Sequence, residues 1–346
     1  MPSLWSSLLN LFTSDVAMDL GTANTLIYVR NQGILLNEPS IVAVSNNGFG
    51  TPRVEAVGLE AKRMYGRTHA KLQAIRPMKD GVIADFEITN KMISYFIKKV
   101  LTHYRLVKPR MVVGIPTCIT QVEKKAVIDA ALLSGVREVY LVEEPMAAAI
   151  GVGIPVHLPE GNMVIDIGGG TSDVAVTCLS SIAYGESIRL GGDEMDEAIQ
   201  RYMRIQHHLN VGIFEAERVK IAVGSAYPLP KPLTTQMRGL NVKTGVPTSI
   251  LVNDEEIREA LREPLSAIAG AVLRALEKTP PELSGDIYTN GLYLTGGGAL
   301  IRGLDKLLEE STSLKVNLPE NPLLSIVQGA GKVIDQFSEY RKVCIN

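Results

Sequence analysis

Met163-Val-Ile-Asp-Ile-Gly-Gly-Gly-Thr-Ser-Asp-Val-Ala-Val-Thr-Cys178 reads as two short apolar strands joined by a glycine turn, with Asp166 near the bend. Val16-Ala-Met-Asp-Leu-Gly-Thr-Ala-Asn-Thr-Leu-Ile-Tyr-Val29 has the same order of strand, aspartate, glycine turn and strand. Its aspartate, Asp19, precedes Asp166 by 147 residues, so the chain reads as internally duplicated. Working outward, the first half continues with a helix around Asn90–Thr102, a strand Arg110–Ile115, a helix Thr120–Ser134, a strand Val139–Val142 and a helix after Pro145. The second half repeats the order with a helix Asp254–Lys278, a strand Leu292–Thr295, a helix Ile301–Glu310, a strand Leu314–Val316 and a helix after Pro322. Strands alternating with helices of this length indicate parallel sheets with helices on their faces. The pattern predicts an α/β fold of two lobes, residues 15–150 and 151–321, around a cleft between the two hairpins. Residues 33–78 and 180–248 are expected to form smaller inserted subdomains, and 322–346 a C-terminal helix returning to the first lobe.

Composition fits a globular chain. Of 346 residues, 46% are hydrophobic and 21% charged. The balance of 35 basic against 37 acidic side chains supplies no general attraction to nucleic acid phosphates. Cys118, Cys178 and Cys344 are an odd count without CxxC spacing, which argues against a disulfide framework or zinc site and fits a reducing cytoplasm. Met146–Ile154, the most apolar run, is far short of the ~18 to 20 residues that span a bilayer.

Residues 1–14 read as an amphipathic helix with Leu4, Trp5, Leu8, Leu9, Leu11 and Phe12 on one side and Ser3, Ser6, Ser7 and Asn10 on the other. The segment lacks the basic start of a signal peptide. Its apolar side suits a membrane interface, with an apolar patch of the protein itself as the alternative.

Glycine turns let backbone N–H groups approach an anion closely, so two of them can grip a polyphosphate. Asp19 and Asp166 beside those phosphates make sense with Mg²⁺, held mainly through water. For either hairpin alone, fixing a tight turn is a sufficient role for its aspartate. Gly296, Gly297, Gly298 and Ala299 end a buried-type strand, where open α/β sheets bind ligands, although a glycine run there also serves close packing. No P-loop or complete GxGxxG occurs.

At these residues the chain resembles the superfamily of actin, sugar kinases and heat-shock chaperone ATPases, and within it the MreB-like bacterial actins. Leu36–Ser40, Ala74–Asp85 and Glu143–Gly151 carry the narrower resemblance. It implies a duplicated actin-like (ribonuclease H-like) fold and a cytoplasmic, membrane-associated ATPase that forms filaments and sets rod shape by guiding cell wall synthesis. The partners implied are the chain itself, the inner face of the cytoplasmic membrane, RodZ and the cell wall synthesis complex.

Carried over by motif, Asp19 and Asp166 organise Mg²⁺, while Gly21, Thr22, Ala23 and Asn24, with Gly168, Gly169, Gly170 and Thr171, hold the phosphates of ATP. Glu144 orients the attacking water with help from Thr171; as a residue it is also a favourable carboxylate at a helix N-terminus. Glu217 and Lys220 flank base and ribose, or form an i,i+3 ion pair. Leu106 and Val107, between basic residues, match a family loop that meets lipid; a solvated turn is the alternative. Two other functions stand beside this one, a small-molecule kinase with Asp193 as base and a nucleotide-dependent module that never polymerises. For Asp193 a helix N-cap is the simpler expectation.

Overall fold

The structure, a computed structural model, describes residues 15–45, 53–67, 72–101 and 108–345. Leu4, Trp5, Leu8, Leu9, Leu11, Phe12, Leu106 and Val107 lie outside the described residues. The chain forms two compact units: the first ends at Val156 and resumes at Leu324, and the second runs His157–Leu323.

In the first unit, β1 (Val16–Leu20), β2 (Asn24–Val29) and β3 (Gly33–Pro39) form an antiparallel meander. β4 (Val42–Ser45), β5 (Arg53–Val57) and β6 (Leu72–Ile75) form a small separate sheet, with α1 (Leu59–Met64) between its last two strands in sequence. A short β7/β8 pair (Met78–Lys79, Val82–Ile83) leads to α2 (Phe86–Val100), β9 (Arg110–Ile115), α3 (Gln121–Leu133), β10 (Glu138–Glu143) and α4 (Glu144–Gly151). Among the described residues the main sheet has the order β10-β9-β1-β2-β3, with β9 and β10 parallel to β1. β1 lies at its centre, which is why all five residues of Val16–Leu20 are buried.

Helix starts follow the caps. The Asp85 side chain accepts from the Ile88 N–H and starts α2 four residues before the expected Asn90. Thr120 and Glu123 form a capping box at α3, and Asn253 and Glu256 another further along the chain. Ile88, Met92, Ile93, Phe96 and Ile97 are the buried apolar stripe of α2, part of the first unit's core.

The second unit contains β11 (Asn162–Ile167), β12 (Ser172–Cys178), β13 (Ser181–Ile188), α5 (Gly192–Gln206), β14 (Leu209–Asn210), α6 (Ile213–Val223), β15 (Thr234–Asn241) and β16 (Pro247–Asn253). It continues through α7 (Asp254–Lys278), α8 (Pro281–Asn290), β17 (Leu292–Thr295), a 3₁₀ turn Gly297–Leu300, α9 (Leu304–Thr312) and β18 (Val316–Asn317). β14, β15 and β16 make the smaller sheet. The main sheet has the order β13-β12-β11-β17-β18, with β11/β12/β13 antiparallel and β17 and β18 parallel to β11. Strand for strand, this is the connectivity of the first unit, so the duplication is a property of the fold. The helix expected from Ile301 begins at Leu304, because the glycine run forms the 3₁₀ turn first and Gly303 takes a left-handed conformation at φ 72°.

α10 (Ser325–Asp335) belongs to the first unit and crosses α4. A Cβ on Gly329 would lie 1.7 Å from the Ala147 carbonyl oxygen, and one on Gly151 1.9 Å from that of Ser325. The two backbones are therefore in direct contact. The Tyr28 hydroxyl donates to Asp335 at 2.6 Å, and Gly331 leaves room for the Tyr28 ring. Ala in place of Gly in a helix gains about 1 kcal/mol from propensity, whereas prying packed backbones apart costs about 1–3 kcal/mol or more. Gly329→Ala is expected to destabilise the first unit by about 2 kcal/mol, seen as a lower denaturant midpoint; an equal or higher midpoint contradicts this crossing.

Candidate functional site

Asp19 is buried at the end of β1, paired in register with Gly114 of the parallel neighbour β9. A Cβ on Gly114 would meet Ile326 Cγ2 at 3.2 Å and Glu144 Cγ at 3.6 Å, so Gly114 lies beside the Glu144 side chain and against Ile326 of the first unit. Glu144 is buried in the first turn of α4, with Pro145 beside it among the first helical positions. Asp19 and Glu144 thus stand at the carboxyl ends of parallel strands, the usual ligand edge of an open α/β sheet.

The Gly21–Asn24 turn is tight enough that a Cβ on Gly21 would lie 2.7 Å from the Asn24 carbonyl oxygen. Ser40 Oγ donates to the Gly21 carbonyl at 2.6 Å and lies 2.9 Å from Thr25 Oγ1, while the Ser40 N–H donates to Ala23. The Gly81 N–H donates to Thr22 Oγ1 at 2.9 Å. Ser40 and Gly81 come from Leu36–Ser40 and Ala74–Asp85, two of the segments that carry the narrower resemblance. Their buttressing role was missed in the sequence because it depends on contacts 19 and 59 residues apart.

In the second unit Asp166 is the next-to-last residue of β11, paired with Thr295 of β17 on one side and Asp173 of β12 on the other. Thr295 Oγ1 donates to Asp166 Oδ1 at 2.8 Å. Burial pushes the Asp166 carboxyl up to about 7; the neighbouring Asp173 raises it too, and the Thr295 hydrogen bond holds it down. The Gly168 N–H donates to the carbonyl of Thr171, closing the turn at 2.8 Å. Gly192 and Asp193 donate their backbone N–H groups to the carbonyls of Gly168 (3.0 Å) and Gly169 (2.8 Å). Ser172 Oγ donates to the Leu190 carbonyl.

This close approach corrects the expectation for Asp193. The N-cap of α5 is Gly191, because a Cβ at that position would lie 2.6–2.7 Å from the Gly168 and Gly169 carbonyl oxygens, and Asp193 falls inside the first turn. Gly296 and Gly298 also have a packing reason: their Cβ atoms would fall 2.4 Å from the Ile167 carbonyl oxygen and 2.1 Å from its Cγ2. Ala299 is buried beside them, and Gly297 lies near Leu323. Glu217 and Lys220 share α6; Lys220 Nζ reaches α5, donating to the Gly192 carbonyl at 2.6 Å and standing 2.9 Å from Asp196.

Among the described residues no three His, Cys, Asp or Glu side chains cluster to hold a metal directly. Asp19 and Asp166 are oxygen donors of the kind that suits a hydrated hard cation. Asp166, with an ordinary value of 3.8 and a folded value of about 7, holds its proton in the folded chain over a range where the unfolded chain has lost it. Its contribution to folding is therefore fully present below about pH 4 and is lost as pH rises through about 7. In EDTA, the fall in the unfolding midpoint of the second unit from pH 5 to pH 8 is expected to be smaller for Asp166→Asn than for the unsubstituted chain. Equal pH slopes would show that Asp166 is not held protonated.

The model of the MreB/Mbl protein family matches residues 13–342. Cell shape-determining protein MreB of Escherichia coli (strain K12) is 51% identical over 329 residues, covering 94% of this chain and 95% of that protein. Cell shape-determining protein Mbl of Bacillus subtilis (strain 168) is 46% identical over 332 residues, covering 96% and 99%. The crystal structure of MreB5 of Spiroplasma citri bound to ADP superposes with a TM-score of 0.89 at 34% identity, covering 96% of this chain and 98% of that one. With the duplicated sheets and their aspartate-glycine turns, these matches place the chain in the MreB/Mbl family of actin-like, cell shape-determining cytoskeletal proteins.

Proposed function

We propose that the chain binds ATP with Mg²⁺, hydrolyses it slowly, and polymerises into filaments on the inner face of the cytoplasmic membrane, where it maintains rod shape by organising cell wall synthesis. RodZ and the wall synthesis complex are its partners in this reading. The observation that carries it is the duplication: the first strand of each unit's main sheet has an aspartate as its next-to-last residue and runs into a glycine turn, in a chain similar to an MreB5 whose crystal structure is bound to ADP.

Gly21–Asn24 and Gly168–Thr171 hold the phosphates, and Asp19 and Asp166 hold Mg²⁺ through water. When bound, the cation neutralises phosphate charge and allows Asp166 to ionise. Phosphoryl transfer to water is largely positioning, and Glu144, fixed at a helix start and buried, orients the water with Thr171. Glu217, Lys220 and Gly296–Ala299 flank base and ribose. No helix among the described residues is long and apolar enough to cross a membrane, so attachment falls to Leu4–Phe12 with Leu106 and Val107. One such helix binds weakly, and a filament carrying many copies holds.

Sedimentation with and without ATP and Mg²⁺ tests polymerisation; no pellet under any nucleotide or lipid condition contradicts it. Asp166→Ala is expected to weaken Mg-nucleotide binding. Glu144→Ala should leave binding intact and slow hydrolysis on the order of a hundred-fold, and an unchanged rate removes its assigned role. Deleting residues 2–12 together with Leu106→Ser should abolish co-sedimentation with anionic liposomes; full recovery refutes the membrane assignment.

A further inference from the structure

Lys220 and Asp196 connect to the second glycine turn through a continuous path of backbone groups. Asp196 on α5 is buried and its side chain only 3% exposed; Lys220 on α6 is 11% exposed. Their 2.9 Å approach is a close charge contact rather than a directed hydrogen bond. The directed bond runs from Lys220 Nζ to the Gly192 carbonyl at 2.6 Å. That carbonyl shares a peptide plane with the Asp193 N–H, which donates to the Gly169 carbonyl at 2.8 Å. The Gly169 carbonyl in turn shares a plane with the Gly170 N–H. Peptide planes are rigid and nearly always trans, so fixing the carbonyl of each plane fixes the opposite direction of its N–H.

We infer that Asp196 and Lys220 are positioning residues that orient and polarise the Gly170 N–H for phosphate, through the Gly192–Asp193 and Gly169–Gly170 peptide planes. This rests on the nucleotide reading above and deepens it. A cation on the first carbonyl strengthens the first N–H as a donor, and that donor strengthens the next by roughly 10–30% per bond. Asp196 keeps the Lys220 ammonium on this path. Lys220 thereby acts on the phosphate end of the nucleotide, whatever contact it also makes with base or ribose. The arrangement also explains why α5 opens with Gly191-Gly192: a Cβ on Gly192 would lie 3.3 Å from Lys220 Nζ, and one on Gly191 would strike the turn itself.

The test uses the full chain, labelled with [¹⁵N]glycine, as wild type, Asp196→Asn, Lys220→Met and the double variant. In the nucleotide-free protein the Gly170 amide proton is expected to move upfield in both single variants, a change in donor strength that loss of general packing does not produce selectively. In Asp196→Asn, affinity for Mg-ATP and for Mg-GTP is expected to fall together, by about five- to ten-fold, with their ratio unchanged, and the double variant is expected to be no weaker than Lys220→Met alone. Burial pushes the Asp196 carboxyl up to about 7, so it takes a proton readily once Lys220 is gone; Lys220→Met therefore carries the test if Asp196→Asn does not fold. An unmoved Gly170 signal, a loss confined to ATP, or additive losses in the double variant overturns the inference. Wild-type protein that takes up neither nucleotide overturns the nucleotide reading and this inference together, whereas wild-type binding with unchanged variant affinities overturns this inference alone.

Discussion

The backbone clasp between Gly191–Asp193 and the Gly168–Gly169 carbonyls is the constraint on which the second unit's site depends. Two N–H groups from the start of α5 are spent on the turn, and the contact leaves no space for a side chain at Gly191. A free glycine turn samples many conformations, and holding it costs entropy that a ligand would otherwise have to supply. The clasp meets that cost during folding. The first unit holds its turn with more side-chain help: the Ser40, Thr22 and Thr25 hydroxyls join the Ser40 and Gly81 N–H groups around it. Duplication has preserved the sheets and the aspartates while the buttresses diverged.

The site is kept at a cost to the fold. Asp166 sits with Asp173 across an antiparallel pair of buried strands, where desolvation and like charge both disfavour ionisation. A Leu or Val at either position would suit the sheet better. Such residues persist where they serve a site, and the stability is recovered elsewhere. Asp15, by contrast, is fully buried but bound by Arg110 through both backbone and guanidinium donors, so its charge is paired.

Strands Arg110–Ile115 and Leu292–Thr295 were legible to the residue, because buried parallel strands are short apolar runs bounded by turn residues. The start of α2 was displaced because one capping residue, Asp85, decides it, whereas α7 starts at the expected Asp254 behind its Asn253 cap. The fold class was legible because the aspartate-glycine hairpin occurs twice, and one copy alone would have left it open. Ser40, Gly81, Thr295 and Asp196 were not legible as parts of the site. Each acts through partners distant in sequence, and a serine in a loop or an aspartate on a helix carries no local mark of such a role. Asp196 lies within Gly191–Asp196, where the sequence alone offers only Asp193 as a candidate base.

The glycines themselves separate packing from function once their surroundings are known. At Gly191, Gly296 and Gly298 a methyl group would strike backbone or Ile167, so the fold alone demands glycine there. Gly168 differs. The nearest atom to a Cβ at that position is the Thr171 carbonyl oxygen at 3.4 Å, an ordinary contact, and its φ is not in the left-handed region. The chain's own packing leaves room for a side chain at a residue flanked by a turn that is otherwise tightly held. In the proposed nucleotide reading, glycine at 168 would let a phosphate approach the backbone from outside the protein. Gly296 and Gly298, more conspicuous in sequence, have their reason inside the core, where each packs on Ile167.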